Sequence, residues 1–370
     1  MRTLVFLLSL IAVPGVDAAL FRIGDGAFVE RSFAAGPGQA VLASADVNGD
    51  GHLDLVVAHD GRGDIYLGDG SGALSRGASF PAGPTPGHII VADINGDGSL
   101  DLVIANHDTP YVTLLFGDAE GRFEAAPNSP LSLDVVPHPH VVAAEDVNRD
   151  GVLDLIIDSR DSRSLFILQG IGAGVFRAKV TSVPVGGAPY HGFTVGDING
   201  DGLIDLATPN ENGVGVVLNS STRDVAFGRP SVIDAISPFA VGLGDLNGDG
   251  RLDLISASES APQIEVFSGD GTGGFSRMGS GFPIAGGGKN LAVGDFNGDG
   301  IDDAVIASWT SDALIVIGSA ETLESFRVPL NDLRNPWGVT VADFNEDGRD
   351  DFVLADGSED VVAVFLSFDP

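Results

Sequence analysis

The sequence predicts an all-β fold, a seven-bladed β-propeller of four-stranded blades. One motif, D-x-N-x-D-G-x-x-D, occurs seven times in the 370 residues and begins at Asp46, Asp93, Asp146, Asp197, Asp245, Asp295 and Asp343. Its period of 47 to 53 residues is typical of propellers and solenoids. Short apolar runs flank each copy, whereas helical periodicity is essentially absent.

Each repeat contains four candidate strands around the motif. An apolar run such as residues 89–92 leads into the loop, and a second run such as 102–105 leaves it. A polar turn, a third run such as 112–116, a Gly-rich hairpin such as 269–275 and a more polar fourth strand follow. Continuous Val, Ile and Leu runs are expected for strands buried on both faces. Four strands in one repeat correspond to one propeller blade.

The two ends of the chain predict how the ring closes. Only two strands, residues 351–355 and 361–368, follow the seventh motif, so the last blade lacks its fourth strand. Residues 24–30 match the hairpin and fourth strand of the other blades. We therefore expect the N-terminal strand to complete the last blade, which removes the sheet edges that favour aggregation.

The first residues are predicted to be a signal peptide, residues 1–18, followed by the propeller, residues 19–370. Met1 and Arg2 precede an apolar run, residues 4–13, and small residues at 16–18 form a cleavage site. The run is shorter than the roughly 20 residues that cross a bilayer. A buried N-terminal strand or helix is the alternative. The mature protein is thus expected to be secreted or periplasmic, without a membrane span.

Charge and cysteine content limit the classes of partner that the chain can bind and the ways in which its fold can be stabilised. Residues 1–370 contain 52 acidic and 19 basic residues, a net charge of −33, and no cysteine. Nucleic acid is therefore excluded as the expected partner, because binding phosphates requires clustered cations. Disulfides cannot brace the fold, so an exported chain of this kind depends on bound metal or on a large core. We expect a monomer.

The seven motifs are predicted to be calcium-binding loops, with up to seven Ca²⁺ ions. Calcium prefers six to eight oxygen ligands. Motif positions one, three, five and nine supply side-chain oxygens, position seven supplies a backbone carbonyl, and glycine at position six permits the sharp turn. The predicted ligands are Asp46, Asn48, Asp50, His52, Asp54, Asp93, Asn95, Asp97, Ser99, Asp101, Asp146, Asn148, Asp150, Val152, Asp154, Asp197, Asn199, Asp201, Leu203, Asp205, Asp245, Asn247, Asp249, Arg251, Asp253, Asp295, Asn297, Asp299, Ile301, Asp303, Asp343, Asn345, Asp347, Arg349 and Asp351.

Solvated Asx turns are the alternative interpretation of these loops. Three carboxylates within a few ångströms repel one another strongly unless a cation joins them. Seven copies in register therefore favour calcium over simple turns. Arg149 and Glu346 occupy position four, which supplies no ligand, although Arg149 is expected to weaken its own site.

The loops and strands resemble the FG-GAP/VCBS repeat family, the propeller of integrin α-chain heads and of many bacterial secreted proteins. The resemblance covers nearly all of residues 19–370 and is closer to the bacterial VCBS type. Phe-Gly occurs as Phe116-Gly117 and Gly-Ala-Pro as Gly187-Ala188-Pro189. The family implies the fold and structural calcium. It implies binding or adhesion only loosely, because some relatives resemble lectins and others belong to polysaccharide lyases.

A ligand is expected on the face opposite the acidic loops. Six positions before each motif the repeats differ, and these residues should surround the mouth of the central channel. Six of the seven histidines also fall on this face, with no established metal-ligand spacing. The candidate ligand-binding residues are His88, His140, His191, Phe239, Lys289 and Trp337. Ordinary polar turns and aromatic packing at strand ends, or a catalytic or transition-metal histidine cluster, are the alternatives.

Three functions remain open from the sequence. The first is a non-enzymatic recognition or adhesion module for an extracellular glycan or protein, because varied turn residues lie on a constant scaffold. The second is a polysaccharide lyase or hydrolase, in which Tyr190, His191 and His140 supply base and acid. The third is a structural subunit. No catalytic residue is assigned, because no nucleophile elbow, zinc motif or phosphate loop occurs.

Overall fold

The computed structural model describes residues 19–23, 26–36, 40–133, 138–160, 162–189 and 191–368. These residues form thirty β-strands and no helix. The predicted signal peptide, residues 1–18, lies outside the described residues. No described segment is a helix that is long and apolar enough to cross a membrane.

The strands are numbered in chain order. The N-terminal pair is β1 (Ala19–Ile23) and β2 (Gly26–Ala34). Blades one to three contain β3 (Val41–Ala45), β4 (Asp54–His59), β5 (Arg62–Gly68), β6 (Leu74–Phe80), β7 (Pro86–Ala92), β8 (Asp101–Asn106), β9 (Tyr111–Gly117), β10 (Phe123–Ala125), β11 (Leu131–Ser132), β12 (Val142–Glu145), β13 (Asp154–Ile157), β14 (Ser164–Leu168) and β15 (Thr181–Pro184). Blades four to seven contain β16 (Thr194–Gly196), β17 (Asp205–Asn210), β18 (Gly213–Val217), β19 (Ser231–Ile233), β20 (Pro238–Gly244), β21 (Asp253–Ser258), β22 (Gln263–Gly269), β23 (Phe275–Pro283), β24 (Gly288–Gly294), β25 (Asp303–Ser308), β26 (Ala313–Ile317), β27 (Glu324–Val328), β28 (Pro336–Ala342), β29 (Asp351–Asp356) and β30 (Val361–Phe368).

Each blade is an antiparallel sheet in which neighbouring strands follow one another along the chain, as in β3-β4-β5-β6. The seven sheets form a ring, and the first strand of the last blade, β28, packs against the first strand of the first blade, β3. The predicted seven-bladed propeller of four-stranded blades is therefore confirmed. One detail differs, because the fourth strand of blade two consists of two short pieces, β10 and β11, that both pair with β9.

Burial follows the apolar runs of the sequence. Every residue of the second strands β4, β8, β13, β17, β21, β25 and β29 is buried, as expected for strands covered on both faces by neighbouring blades. Position two of each acidic loop is also apolar and buried, so every loop is anchored to the core beneath it. These anchors are Val47, Ile94, Val147, Ile198, Leu246, Phe296 and Phe344.

The N-terminal strand closes the ring as predicted. β2 pairs antiparallel with β30 along its length and thereby supplies the fourth strand of the last blade. The sequence did not predict β1, which pairs with β2 and makes this sheet five-stranded. Residues 24 and 25, part of the predicted hairpin, lie outside the described residues.

Aromatic packing stabilises this closure. Phe28 on β2 is 1% exposed, and its ring centroid lies 5.6 Å from those of Phe21 and Phe352. Phe352 in turn stacks on Phe365 of β30 at 4.5 Å. Rings from the first and last strands of the chain therefore form one buried cluster, which joins the two termini by the burial of apolar surface.

Removing the Phe28 ring tests this closure. Phe28→Ala should lower the free energy of unfolding by about 3–5 kcal/mol, because a buried phenyl group leaves a cavity between β2 and the last blade. Urea denaturation followed by circular dichroism measures the loss. Val29→Ala on the same strand, where the side chain is half-buried, is the control and should cost less than about 1 kcal/mol. Equal effects of the two substitutions would contradict the account of closure.

Candidate functional site

The blade topology separates two faces of the ring. The acidic loops connect the first and second strands of every blade, so all seven lie on one face. The starts of the first strands and the turns between second and third strands lie at the opposite ends of the same antiparallel strands. The predicted calcium residues therefore occupy one face, and the predicted ligand-binding residues lie toward the other.

Backbone hydrogen bonds wrap each acidic loop around its first aspartate. Oδ1 of Asp46 accepts hydrogen bonds from the N–H groups of Gly49 at 2.8 Å and Asp50 at 3.1 Å. Oδ2 of Asp46 accepts a hydrogen bond from the N–H of Gly51 at 2.9 Å. This bond from position six to position one recurs in all seven loops at 2.7–2.9 Å. Hydrogen bonds within the loop thus fix its conformation without a bound ion.

Two positions of the loop need left-handed backbone. Position six is glycine in every copy and has a φ between 78° and 92°. Position four has a φ between 57° and 77°, and it is glycine in five copies but Arg149 and Glu346 in the other two. A side chain in this region is strained. Both residues contact a neighbouring loop: Arg149 donates to the carbonyl of Asp201 at 3.0 Å, and Oε1 of Glu346 lies 2.5 Å from Nδ1 of His52.

The aspartate at position nine is fully buried in every blade. Oδ1 of Asp54 accepts a hydrogen bond from the N–H of Gly68, and Oδ2 accepts one from the N–H of Val47. The first of these bonds, to the end of the third strand, occurs in all seven blades at 2.6–2.9 Å. This carboxylate therefore links the loop, the second strand and the third strand. Sequence reasoning assigned it only as a metal ligand.

Burial raises the pKa of these position-nine carboxyls. The pKa is about 6 for Asp101, Asp154, Asp205 and Asp253, and about 7 for Asp303 and Asp351. The carboxylates at positions one and five of the same loop add to this effect in most of these loops. An ionised group in such a place is stabilised by a cation.

The donor set of the loops fits a calcium ion. Oδ2 of Asp154 and Oδ2 of Asp253 are buried and have no hydrogen-bond partner among the described residues. A buried carboxylate oxygen without a partner costs free energy unless a cation or water satisfies it. The neighbouring donors are hard oxygens of Asp and Asn, which suit Ca²⁺ rather than softer metals. Positions one, three, five, seven and nine are the residues that would bind it.

A cavity of about 430 Å³ opens on the face opposite the loops. Its wall combines aromatic rings, imidazoles and charged groups from blades one to seven. The lining residues are Asp60, Thr85, Pro86, Gly87, His107, Asp108, His140, Arg160, His191, Phe239, Glu259, Trp309 and Trp337. Of the six predicted ligand-binding residues, four line this cavity and Lys289 lies against its tryptophans. His88 instead lines a second cavity, where burial lowers the pKa of its imidazole to about 4.

Irregular strand pairing places these residues at the channel mouth. In the first strands β7, β20, β24 and β28 the register shifts by one residue, so that Gly87, Phe239, Lys289 and Trp337 have no partner in the strand ladder. Bulges of this kind redirect side chains and occur next to binding sites. The residue six positions before the motif is thus a bulged residue in four of the seven blades.

Aromatic rings form one continuous side of the cavity. The imidazole of His191 stacks on Phe239 with ring centroids 4.3 Å apart. Phe239 contacts Trp309 at 5.2 Å, and Trp309 contacts Trp337 at 6.0 Å in an edge-to-face arrangement. Burial lowers the pKa of His191 to about 3, so this ring is neutral and acts as part of the apolar wall.

Lys289 supplies a buried cation beneath the two tryptophans. Its Nζ lies 4.2 Å from the ring centroid of Trp337 and 4.8 Å from that of Trp309. Nζ also donates a hydrogen bond to Oδ1 of Asn335 at 2.8 Å. Burial lowers the pKa of Lys289 to about 8, although Asp356 opposes the shift. The ammonium group orients both indoles through cation–π contacts.

The other side of the cavity carries imidazoles. His107, His138 and His140 converge, with Nε2 of His107 lying 3.0 Å from Nε2 of His140 and 2.9 Å from Nε2 of His138. The sequence placed these histidines on one face without showing that three of them meet. Tyr190, which the enzymatic alternative requires, lies outside the described residues.

Comparison with known proteins identifies the family. The profile of the FG-GAP-like repeat matches residues 46–104, 93–157, 146–208, 245–306 and 295–354. The chain belongs to the FG-GAP-like repeat family. The resemblance read from the acidic loops is therefore confirmed, and the matched segments each run from one acidic loop to the next or beyond it. No curated protein matches this chain significantly.

Solved structures show the same fold at low sequence identity. An Agrocybe aegerita lectin, described as specifically recognising non-reducing terminal N-acetylglucosamine, superposes with a TM-score of 0.57 and 19% identity over 94% of each chain. A chain in the crystal structure of BBS1N in complex with ARL6DN superposes with a TM-score of 0.59 and 12% identity, over 91% of this chain and 94% of that one. At these identities the similarity shows the fold alone.

The raised pKa of Asp303 predicts that the free energy of unfolding, measured in chelator, depends on pH. Its pKa in the folded protein lies above the unfolded value, so ionisation costs stability above about pH 7, and the cost disappears as the pH falls toward 4. The unfolding free energy of the wild type minus that of Asp303→Asn should therefore increase when the pH is lowered from 8 to 6. Urea titrations at each pH measure this difference.

Asp69→Asn is the control for this titration. Hydrogen bonds from Ser71 lower the pKa of Asp69, an exposed residue, so its wild-type-minus-variant difference should be flat between pH 6 and 8. A flat difference for Asp303→Asn as well, or one that decreases on acidification, would contradict the stated burial effect.

Proposed function

We propose that this FG-GAP propeller is an exported recognition module that binds a glycan in its central cavity, with calcium as a structural component. The aromatic wall formed by Phe239, Trp309 and Trp337 is the observation that carries the proposal. Binding sites for small ligands combine such apolar surfaces with a few polar groups that orient the ligand. Here Asp108, Arg160 and Glu259 are among the charged groups of the same cavity.

A sugar matches this combination of surfaces. Each pyranose ring has an apolar C–H face that packs on an aromatic ring and a rim of hydroxyl groups that require hydrogen-bond partners. Trp309 is 37% exposed, so its indole is accessible to a ligand from solvent. The cavity has room for one or two sugar units, which favours recognition of the end of a glycan. The lectin of the same fold supports a glycan ligand.

Export is part of the proposal because of the N-terminal pattern. The apolar run at residues 4–13, preceded by Arg2 and followed by small residues, has the composition of a secretory signal. The absence of cysteine in all 370 residues and the acidic composition are compatible with a calcium-rich extracellular environment.

Both tryptophans of the sequence line the cavity, so their fluorescence reports on this site. A glycan array should identify a bound oligosaccharide, and titration with it should change the tryptophan emission. Trp309→Ala should weaken binding at least about tenfold, which corresponds to about 1.4 kcal/mol for the loss of one aromatic contact. Calorimetry measures the affinity of the variant.

Ile171→Ala is the matched control for this substitution. Ile171 is the most exposed of the large apolar side chains, at 56%, and does not line the cavity. Its substitution should leave glycan affinity unchanged. Retention of full affinity in Trp309→Ala, or the absence of any bound glycan, would refute glycan recognition at the cavity.

Calcium is proposed as structural because of charge and location. The loops lie on the face opposite the cavity, and each contains at least three carboxylates within a nine-residue segment. At a free calcium concentration ten times Kd, each site contributes about 1.4 kcal/mol by mass action. Seven such sites would together contribute roughly 10 kcal/mol, which is comparable to the entire stability of a domain.

Calcium removal should therefore destabilise the protein. Excess chelator should lower the melting temperature by more than about 10 °C. When the stripped protein is titrated with calcium by calorimetry, up to seven calcium ions should bind per chain. Asp97→Asn at position five of the second loop should remove one site, whereas Glu124→Gln on the exposed strand β10 should remove none. An unchanged melting temperature in chelator would exclude structural calcium.

A further inference from the structure

We propose that His107, His138 and His140 bind one Zn²⁺ ion at the wall of the central cavity. This site is separate from the calcium loops, which lie on the opposite face. It also goes beyond the proposed recognition function, because the ion is expected to bind whether or not a glycan is present.

The three imidazoles already have the spacing of a metal site. One ligand atom from each of the three side chains lies within 4.8 Å of the other two, and among the described residues this is the group of His, Cys, Asp or Glu side chains that could hold a metal ion. Zn–N bonds of 2.0–2.1 Å in a tetrahedron place the nitrogens about 3.3 Å apart. The observed Nε2 separations from His107 are 3.0 Å to His140 and 2.9 Å to His138. Movements of a few tenths of an ångström would accommodate the ion.

Carboxylates determine which nitrogens point inward. Nδ1 of His140 lies 3.3 Å from Oδ2 of Asp158, and Nδ1 of His107 lies 3.0 Å from Oδ2 of Asp108. Each Nδ1 therefore carries the proton and donates to a carboxylate, which leaves the lone pair on Nε2. Histidines that bind metals are oriented in this way by a carboxylate on their second nitrogen.

The resulting arrangement suits a cation. The Nε2 lone pairs of His107 and His140 face each other at 3.0 Å, and neither neutral ring has a second proton to place between them. His138 has at most one Nε2 proton, and Nε2 of His138 lies 2.9 Å from His107 and 3.3 Å from Oδ1 of Asp108. A metal ion between the three Nε2 atoms would take up these lone pairs.

The fold builds this cluster from rigid parts. Asp158 is fully buried and accepts backbone hydrogen bonds from His140 and Val141 at 2.7 Å and from Gly192 at 3.1 Å, so it is locked in place beneath His140. His138 has a φ of 115°, which is strained for a residue with a side chain. Strain of this kind persists where the surrounding structure enforces it and is concentrated at functional sites.

The chemistry selects a transition metal rather than calcium. Imidazole nitrogen suits Zn²⁺, Cu²⁺ or Ni²⁺, whereas Ca²⁺ requires oxygen ligands. Three histidines leave a fourth tetrahedral position, and Asp108, with an exposed side chain, is available for it beside His138. His107 and His140 both line the cavity, so the ion would belong to its wall.

Zinc alone, without any glycan, tests the proposal. The full-length mature protein is stripped with chelator, returned to millimolar calcium to fill the acidic loops, and titrated with ZnCl₂ by calorimetry. One ion should bind per chain with a Kd in the micromolar range or below. Titration with Co²⁺ should produce the visible absorption bands of a tetrahedral site with nitrogen ligands, a signature that binding to carboxylate loops would lack.

Three variants locate the ion. His107→Gln and His138→Gln, at half-buried positions, should each weaken zinc binding at least about a hundredfold and remove the cobalt bands. His52→Gln is the matched control, because His52 lies in the first acidic loop on the opposite face and the substitution keeps its backbone carbonyl, which is the predicted calcium ligand. It should leave zinc affinity and the spectrum unchanged.

Two results would overturn the proposal. If the wild type binds no zinc in the presence of calcium, the cluster is not a metal site. If zinc binds equally well to His107→Gln and His138→Gln while circular dichroism shows both to be folded, the ion lies elsewhere. Failure of glycan binding would not affect either measurement, so the two proposals stand or fall independently.

Discussion

The buried carboxylate at position nine of each loop is the interaction on which the propeller depends. Asp54 and its six counterparts join the end of the third strand to the second strand, and in most blades they also join the start of the loop. One side chain thus connects three segments of the chain, the outer two of which, at Val47 and Gly68, are 21 residues apart. Its cost is desolvation, which is seen as a pKa raised to 6 or 7 in six blades.

A cation bound in the loop, as proposed for calcium, would lower this cost and would connect the fold to metal chemistry. Carboxylates at positions one and five raise the pKa of position nine by repulsion in most blades, and the same three groups attract a divalent ion. The demand is the same in every blade, so the motif is repeated with little variation. The cavity face is under no such constraint, and its residues differ from blade to blade. Recognition is therefore expected where the repeats diverge.

Much of the fold could be predicted because its cause is local. The second strands are continuous apolar runs such as residues 55–58, and the glycine at position six marks a turn with positive φ. The missing fourth strand of the last blade indicated the closure by β2. In contrast, β1 and the division of one strand into β10 and β11 depend on packing and pairing that no single segment encodes. The second role of Asp54, as a hydrogen-bond acceptor from Gly68, likewise required the register of β4 and β5.

Part of the cavity could be predicted as well, because its residues lie at a fixed position relative to the repeated motif. Counting six residues back from each motif identified His140, His191, Phe239, Lys289 and Trp337, and the last three of these are bulged residues of their first strands. The convergence of His107 and His138 on His140 could not be read from the sequence. They come from a turn and a connection between blades, and their spacing along the chain matches no metal motif.

The central claim is that recognition and scaffold occupy opposite faces of the ring, and nuclear magnetic resonance tests it most directly. In ¹⁵N-labelled protein kept in calcium, the two indole N–H signals come from Trp309 and Trp337, and the glycines at position six report on the acidic loops. Addition of the bound oligosaccharide should shift both indole signals and leave the loop glycine amides in place. Shifts confined to the loop glycines, with both indole signals unmoved, would contradict the account.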